Sequence, residues 1–139
     1  MADASSKPVA RPQRPLSPHL QIYTPLINMV MSILHRLTGA ALYFGTLLLA
    51  WWLIAAATGP AYFDYVSSWF SPWYGQAVLI GYTWALFHHM LGGVRHFIWD
   101  LGYGYDLRTV DQLSWGSGAL SLIITGLIWL GVAFARGGF

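Results

Sequence analysis

Cysteine is absent from all 139 residues. That excludes structural disulfides, Cys-ligated iron–sulfur clusters and covalently attached c-type haem within this chain, and leaves histidine as the side chain for holding a metal. Charge is nearly as scarce. Asp, Glu, Lys and Arg make up 9% of the residues, against 56% hydrophobic ones, whereas a soluble domain carries roughly 25% charged residues. So little charge cannot furnish an ordinary water-facing surface, so the solvent is a bilayer. The net charge of +2 is too small to argue for a nucleic-acid partner; where the charges stand matters more than their sum.

What is present is long uncharged runs. There are 27 residues between Arg36 and Asp64, 30 between Asp64 and Arg95, and 24 between Asp111 and Arg136. A spanning helix needs roughly 20 mostly apolar residues, so each gap fits one span. The expected fold is an all-α membrane protein with three transmembrane helices, at about 26–57, 75–99 and 113–135. An extended Pro-rich N-terminal segment, 1–25, precedes this three-helix anchor at 26–135. Three helices are too few to bury a large polar site alone, which argues for partner subunits besides membrane lipids.

Met1 to Gln13 reads as a polar tail. Asp3, Pro8 and Pro12 go against a transit peptide, which is Arg-rich, amphipathic and poor in acidic residues; a bacterial source follows as an expectation. In Arg14 to Pro25, Pro15, Pro18 and Pro25 each fix φ and remove a donor. That favours a strap on the membrane surface or on a partner, with His19 and Tyr23 as contacts, over a regular helix. Thr58-Gly59-Pro60 ends the first helix. Ala61 to Tyr74 is rich in aromatic rings of the kind that settle at headgroup level, and a short interfacial helix fits there. The third helix repeats small residues four apart, Ser114/Gly118, Ser117/Ser121 and Ser121/Thr125. Small faces let membrane helices approach closely, and packing within the chain accounts for them.

Lys7, Arg11, Arg14 and Arg36 precede or open the first helix, the first loop has no Lys or Arg, and Arg95 and Arg108 flank the second loop. The positive-inside bias therefore puts the N-terminus and the second loop in the cytoplasm.

Phe87 to Asp100, F-H-H-M-L-G-G-V-R-H-F-I-W-D, holds three of the five histidines. Ionisable groups at membrane depth are rare and mark function by default. At 1.5 Å per residue His35 lies about 13 Å inside the first helix, and His89 lies at a similar depth from the end of the second. Ser32, Arg36, Arg95 and His96 fall in the same layer or nearer the cytoplasm. Two separate clusters should thus converge on one polar site. His89, Gly92, Gly93 and His96 share one helix face, where a flat macrocycle could approach the backbone. His88 and Arg95 share another face, about 100° away. Ser32 and Arg36, four apart, share a face of the first helix. Each residue also has a plainer account: hydrogen-bonded structural histidines, and arginines that snorkel to headgroups.

Three segments carry a family resemblance: R-P-L-S-P-H-L-Q-I-Y (14–23), S-I-L-H-R-L-T-G (32–39) and H-M-L-G-G-V-R-H-F-I-W-D-L-G (89–102). The chain resembles the cytochrome b subunits of succinate dehydrogenase, membrane anchors of respiratory complex II. The resemblance implies an anchor that pairs with a second small membrane subunit and holds a flavoprotein and an iron–sulfur protein on the bacterial cytoplasmic membrane. It implies haem b shared with the second anchor, His89 as an iron axial ligand, and His35, Arg36, Arg95 and His96 in the haem propionate region. Ser32 and Arg36 would be quinone-site residues, with ubiquinone as substrate, and no residue here would serve succinate oxidation. Two other classes compete. One is a self-contained cytochrome b electron carrier in which His35 and His88 or His89 both ligate iron. The other is a non-redox transporter subunit whose histidines relay protons.

Overall fold

The computed structural model describes Pro15, Ser17, Pro18 and residues 22–137. The tail through Gln13 and the expected contact of His19 lie outside the described residues. Within them there are four helices and no strand: α1 (Ile27–Thr58), α2 (Pro60–Phe70), α3 (Trp73–Asp100) and α4 (Leu107–Ala135). Three of these, α1, α3 and α4, are long and apolar enough to cross a membrane.

The interior is more polar than the exterior. Among the described residues the buried hydrophobics are Met31, Ala55, Val66 and Ala85, while Thr38, His88, Arg95, Ser114, Ser121 and Thr125 are buried too. Large apolar side chains such as Leu47, Ile54, Leu122 and Leu127 point outward. Lipid tails are as apolar as leucine, so helices here gain little by hiding leucine and gain more from close contact and interhelical hydrogen bonds. Helix α3 packs against both α1 and α4. Its seam with α4 includes Ser114, which meets Arg95, and Ser121, which meets His88; Gly118 and Thr125 of the same stripe are buried too, Gly118 against Met31 of α1.

The chain turns between α1 and α2 at Gly59, whose φ of 144° is a region open essentially to glycine. Pro60 then opens α2 at a position where its missing N–H costs nothing. The expected short helix in the aromatic segment is α2, tied back to α1 by Trp51 Nε1, which donates to Tyr62 Oη at 2.9 Å.

Helix α4 begins at Leu107 rather than near Leu113, and the reason is local. Asp106 is its N-cap, its side chain accepting from Thr109 N at 2.9 Å. Hydrogen bonds from Thr109 hold the Asp106 carboxyl below its ordinary pKa. The charges of Arg108 and Asp111 suggested loop, yet they sit in the first turns of a helix. The link from α3 is short, with Gly102 and Gly104 at positive φ and Tyr105 Oη donating to Trp99 O at 2.7 Å.

Candidate functional site

Where α1 packs against α3, two histidines meet. The rings of His35 and His89 stack with centroids 4.1 Å apart and planes within 5°. Each ring rests on a glycine of the opposite helix. A Cβ on Gly39 would come within 2.9 Å of His89 Cε1, and a Cβ on Gly92 would run into the His35 ring. The glycines thus set the distance of approach: the motif residue that follows each histidine by three or four positions is the seat for the other. The surface expected to be free for a macrocycle at Gly92 is therefore taken by His35. At Gly93 the space stays open, with nothing within 4 Å of a built Cβ.

The orientation of His89 is fixed from its far side. Its Nδ1 lies 3.0 Å from the carbonyl oxygen of His35. A carbonyl only accepts, so Nδ1 carries the proton and Nε2 keeps its lone pair. The same carbonyl accepts from Thr38 Oγ1 at 3.0 Å. A ring N–H held by a backbone carbonyl is the usual support of a metal-ligating histidine, so the residue present fits an iron ligand through Nε2. His96 stands beside the stack, 5.3 Å from the His35 centroid, and His35 Nε2 is shielded from solvent without a partner among the described residues.

Next to this stack opens a pocket of about 480 Å³ lined by Asn28, Met29, Ser32, Ile33, Arg36, Arg95, His96 and Trp99. It joins the two distant clusters: Ser32 and Arg36 from α1, and Arg95 and His96 from α3. Arg95 does not snorkel. It is 4% exposed, donates from Nη1 to Ser114 Oγ at 3.2 Å, and lies over the Trp99 ring at 5.3 Å, while its Nε has no partner among the described residues. Arg36 stays exposed and Ser32 half-buried. Asn28 was missed in the sequence. Its signal was there, since it precedes Ser32 by the same four residues that separate Ser32 from Arg36.

His88 faces away from the His35–His89 stack, on the α4 side of α3 that Arg95 also reaches. It is buried against α4, with Nδ1 3.5 Å from Ser121 Oγ and its ring 5.3 Å from that of Trp84. A larger cavity, about 980 Å³, lies between α1, α2 and α3 and is lined mainly by apolar side chains such as Phe44, Leu48, Trp52 and Leu79. It contains none of the candidate site residues. Convergent polar groups, rather than volume, mark the smaller pocket as the candidate site.

Residues 10–128 match a family described as the succinate dehydrogenase/fumarate reductase transmembrane subunit. A succinate dehydrogenase cytochrome b556 subunit from Rickettsia felis is 37% identical over 118 residues, covering 85% of this chain and 92% of that protein. The protein of that name from Paracoccus denitrificans is 42% identical over 106 residues, covering 76% and 82%. A mitochondrial succinate dehydrogenase cytochrome b560 subunit from Sus scrofa is 38% identical over 125 residues, covering 86% and 70%.

Proposed function

The chain belongs to the succinate dehydrogenase/fumarate reductase transmembrane subunit family, and from this premise we propose that it supplies one histidine, His89, that would hold the iron of a shared haem b, and half of a quinone-reduction site. The family sets the coarser role, a cytochrome b membrane anchor of complex II. The observation that carries the finer reading is the single polar layer where α1 meets α3, in which the His35–His89 stack adjoins the Ser32–Arg36–Arg95–His96 pocket.

Quinone reduction takes two electrons and two protons to make a quinol. The Ser32 hydroxyl and the Arg36 guanidinium are donors suited to a quinone oxygen, and they stabilise negative charge as it develops there. A guanidinium fork also matches carboxylates, so Arg36 and Arg95, with His35 and His96, suit the propionates of the haem. His89 would hold the iron through Nε2. When bound, the haem supplies a one-electron redox centre whose potential the ligand and its surroundings tune. Ubiquinone is the substrate in this reading. The second ligand comes from a second small anchor, and a flavoprotein and an iron–sulfur protein carry out succinate oxidation.

The self-contained cytochrome is disfavoured by the same geometry. His35 touches His89 face to face and so suits a contact beside that residue better than a second hold on the same iron, and His88 is turned toward α4. The test is affinity purification of the tagged chain from its native membrane. A flavoprotein, an iron–sulfur protein and a second small membrane protein are expected in the eluate, together with a low-spin b spectrum. Recovery of the chain alone with that full spectrum would overturn the proposal.

The charge bias orients the subunit in the bacterial cytoplasmic membrane with its N-terminus and the α3–α4 link inside. Reporter fusions at Gly59 and at Phe139 should both signal the outer side. A cytoplasmic signal from either rejects the orientation.

A further inference from the structure

Asn28 lines the pocket and had no part in the foregoing chemistry. Asn28, Ser32 and Arg36 recur every four residues of α1 and all line the pocket, each step rising about 6 Å along the helix. Asn28 is the second residue of α1, inside the helix and past the N-cap position whose side chain ordinarily accepts a backbone N–H. Leu26 is the N-cap and no side chain caps the helix. The Asn28 Oδ1 is shielded from solvent and has no hydrogen-bond partner among the described residues. A buried acceptor left unmade is costly, so the group calls for a donor that the described residues do not supply.

The chemistry of the substrate pair says which donor. A quinone offers only acceptors, so it is served by Arg36, whose guanidinium donates and cannot accept, and by the Ser32 hydroxyl. The two-electron, two-proton product is different, since each of its ring oxygens now carries an O–H that must donate. Arginines cannot receive it, whereas the Asn28 carboxamide oxygen can. We propose that Asn28 is a quinol-binding residue, its Oδ1 accepting a hydrogen bond from a ring hydroxyl of the reduced quinone. This rests on the pocket being the quinone site and adds a residue that senses the oxidation state of what lies in it.

The test uses the whole purified complex. Succinate-dependent reduction of a short-chain ubiquinone analogue is measured with the corresponding quinol added as product inhibitor. Asn28→Leu is expected to raise the inhibition constant of the quinol by about tenfold, in line with loss of one hydrogen bond, and to change the KM for the quinone by less than about twofold by the same reasoning. Asn28→Asp has the same shape, keeps the acceptor and loses the amide donors, so its quinol inhibition constant should stay at or below the wild-type value. Asn28→Ala carries the prediction made for Leu if the Leu complex does not assemble with full haem content. An unchanged quinol constant in the apolar variant, a parallel rise of both constants, or an Asp variant that behaves like the Leu variant each overturns the proposal. Failure of the underlying site reads differently. If Ser32→Ala and Arg36→Lys also leave quinone reduction at wild type, the pocket is not the quinone site. If they impair it and the quinol constant of Asn28→Leu does not move, the Asn28 assignment alone is wrong.

Discussion

Replacing His89 by Ala is expected to abolish the low-spin b spectrum of the assembled complex, while His88→Ala keeps it. The two histidines are adjacent in sequence, so a merely local disturbance of α3 should affect both variants alike. Their surroundings differ. His89 has Nδ1 committed to the His35 carbonyl at 3.0 Å, and its ring is seated on Gly39. This leaves Nε2 as the basic nitrogen, held in one direction, as a metal ligand needs. His88 is 3% exposed and engaged with Ser121 on the opposite helix, so removing it disturbs the α3–α4 seam and leaves the α1–α3 contact in place. Reduced-minus-oxidised spectra of complexes with equal flavin content measure the outcome. With one ligand from this chain, the low-spin band should also require co-expression of the second anchor. A normal band in His89→Ala would remove the ligand assignment. A low-spin band from the isolated chain that disappears on His35→Ala would restore the self-contained cytochrome.

The spans were legible because a bilayer imposes a simple rule on sequence: stretches of 24 to 30 residues without charge have few other uses. The convergence of two clusters was legible for a related reason. Antiparallel spans place equal distances from one membrane face at equal depth, so Ser32–Arg36 and His89–His96 had to share a layer. Which side chains touch within the layer was not legible. The helical period puts Gly92 on the His89 face, but that His35 occupies its surface depends on the register of α1 against α3, which no single-helix pattern contains. Arg95 is the clearest case. Snorkelling and burial were equally consistent with its place near a helix end, and the decision comes from Ser114, nineteen residues away. The start of α4 was missed for an opposite reason. Asp106 and Thr109 form a cap whose signal is local, but the charges around it suit a loop equally well.

Arg36→Lys is expected to lower succinate:quinone reductase activity about a hundredfold, the lower end of what is seen when one positioned donor is removed from a site of developing negative charge, and Ser32→Ala about tenfold, the scale of one neutral hydrogen bond. Succinate oxidation with a soluble dye should persist, because its chemistry belongs to the partner subunits. Lysine keeps the charge at position 36, so a role in general attraction of anions or in anchoring to headgroups would survive the change. The planar fork is lost, and with it the ability to hold a ring oxygen and a neighbouring group at fixed angles. Ser32 differs in kind. It is half-buried, four residues from Arg36 on the pocket side of α1, and its removal leaves every charge in place. A larger loss for Arg36→Lys than for Ser32→Ala, with dye reduction preserved in both, is the pattern of two donors at one oxygen, the stronger depending on the planar fork. Wild-type quinone reduction in both variants would leave Arg36 as a snorkelling cation and Ser32 as a packing residue. The 480 Å³ pocket would then have no claim on the quinone.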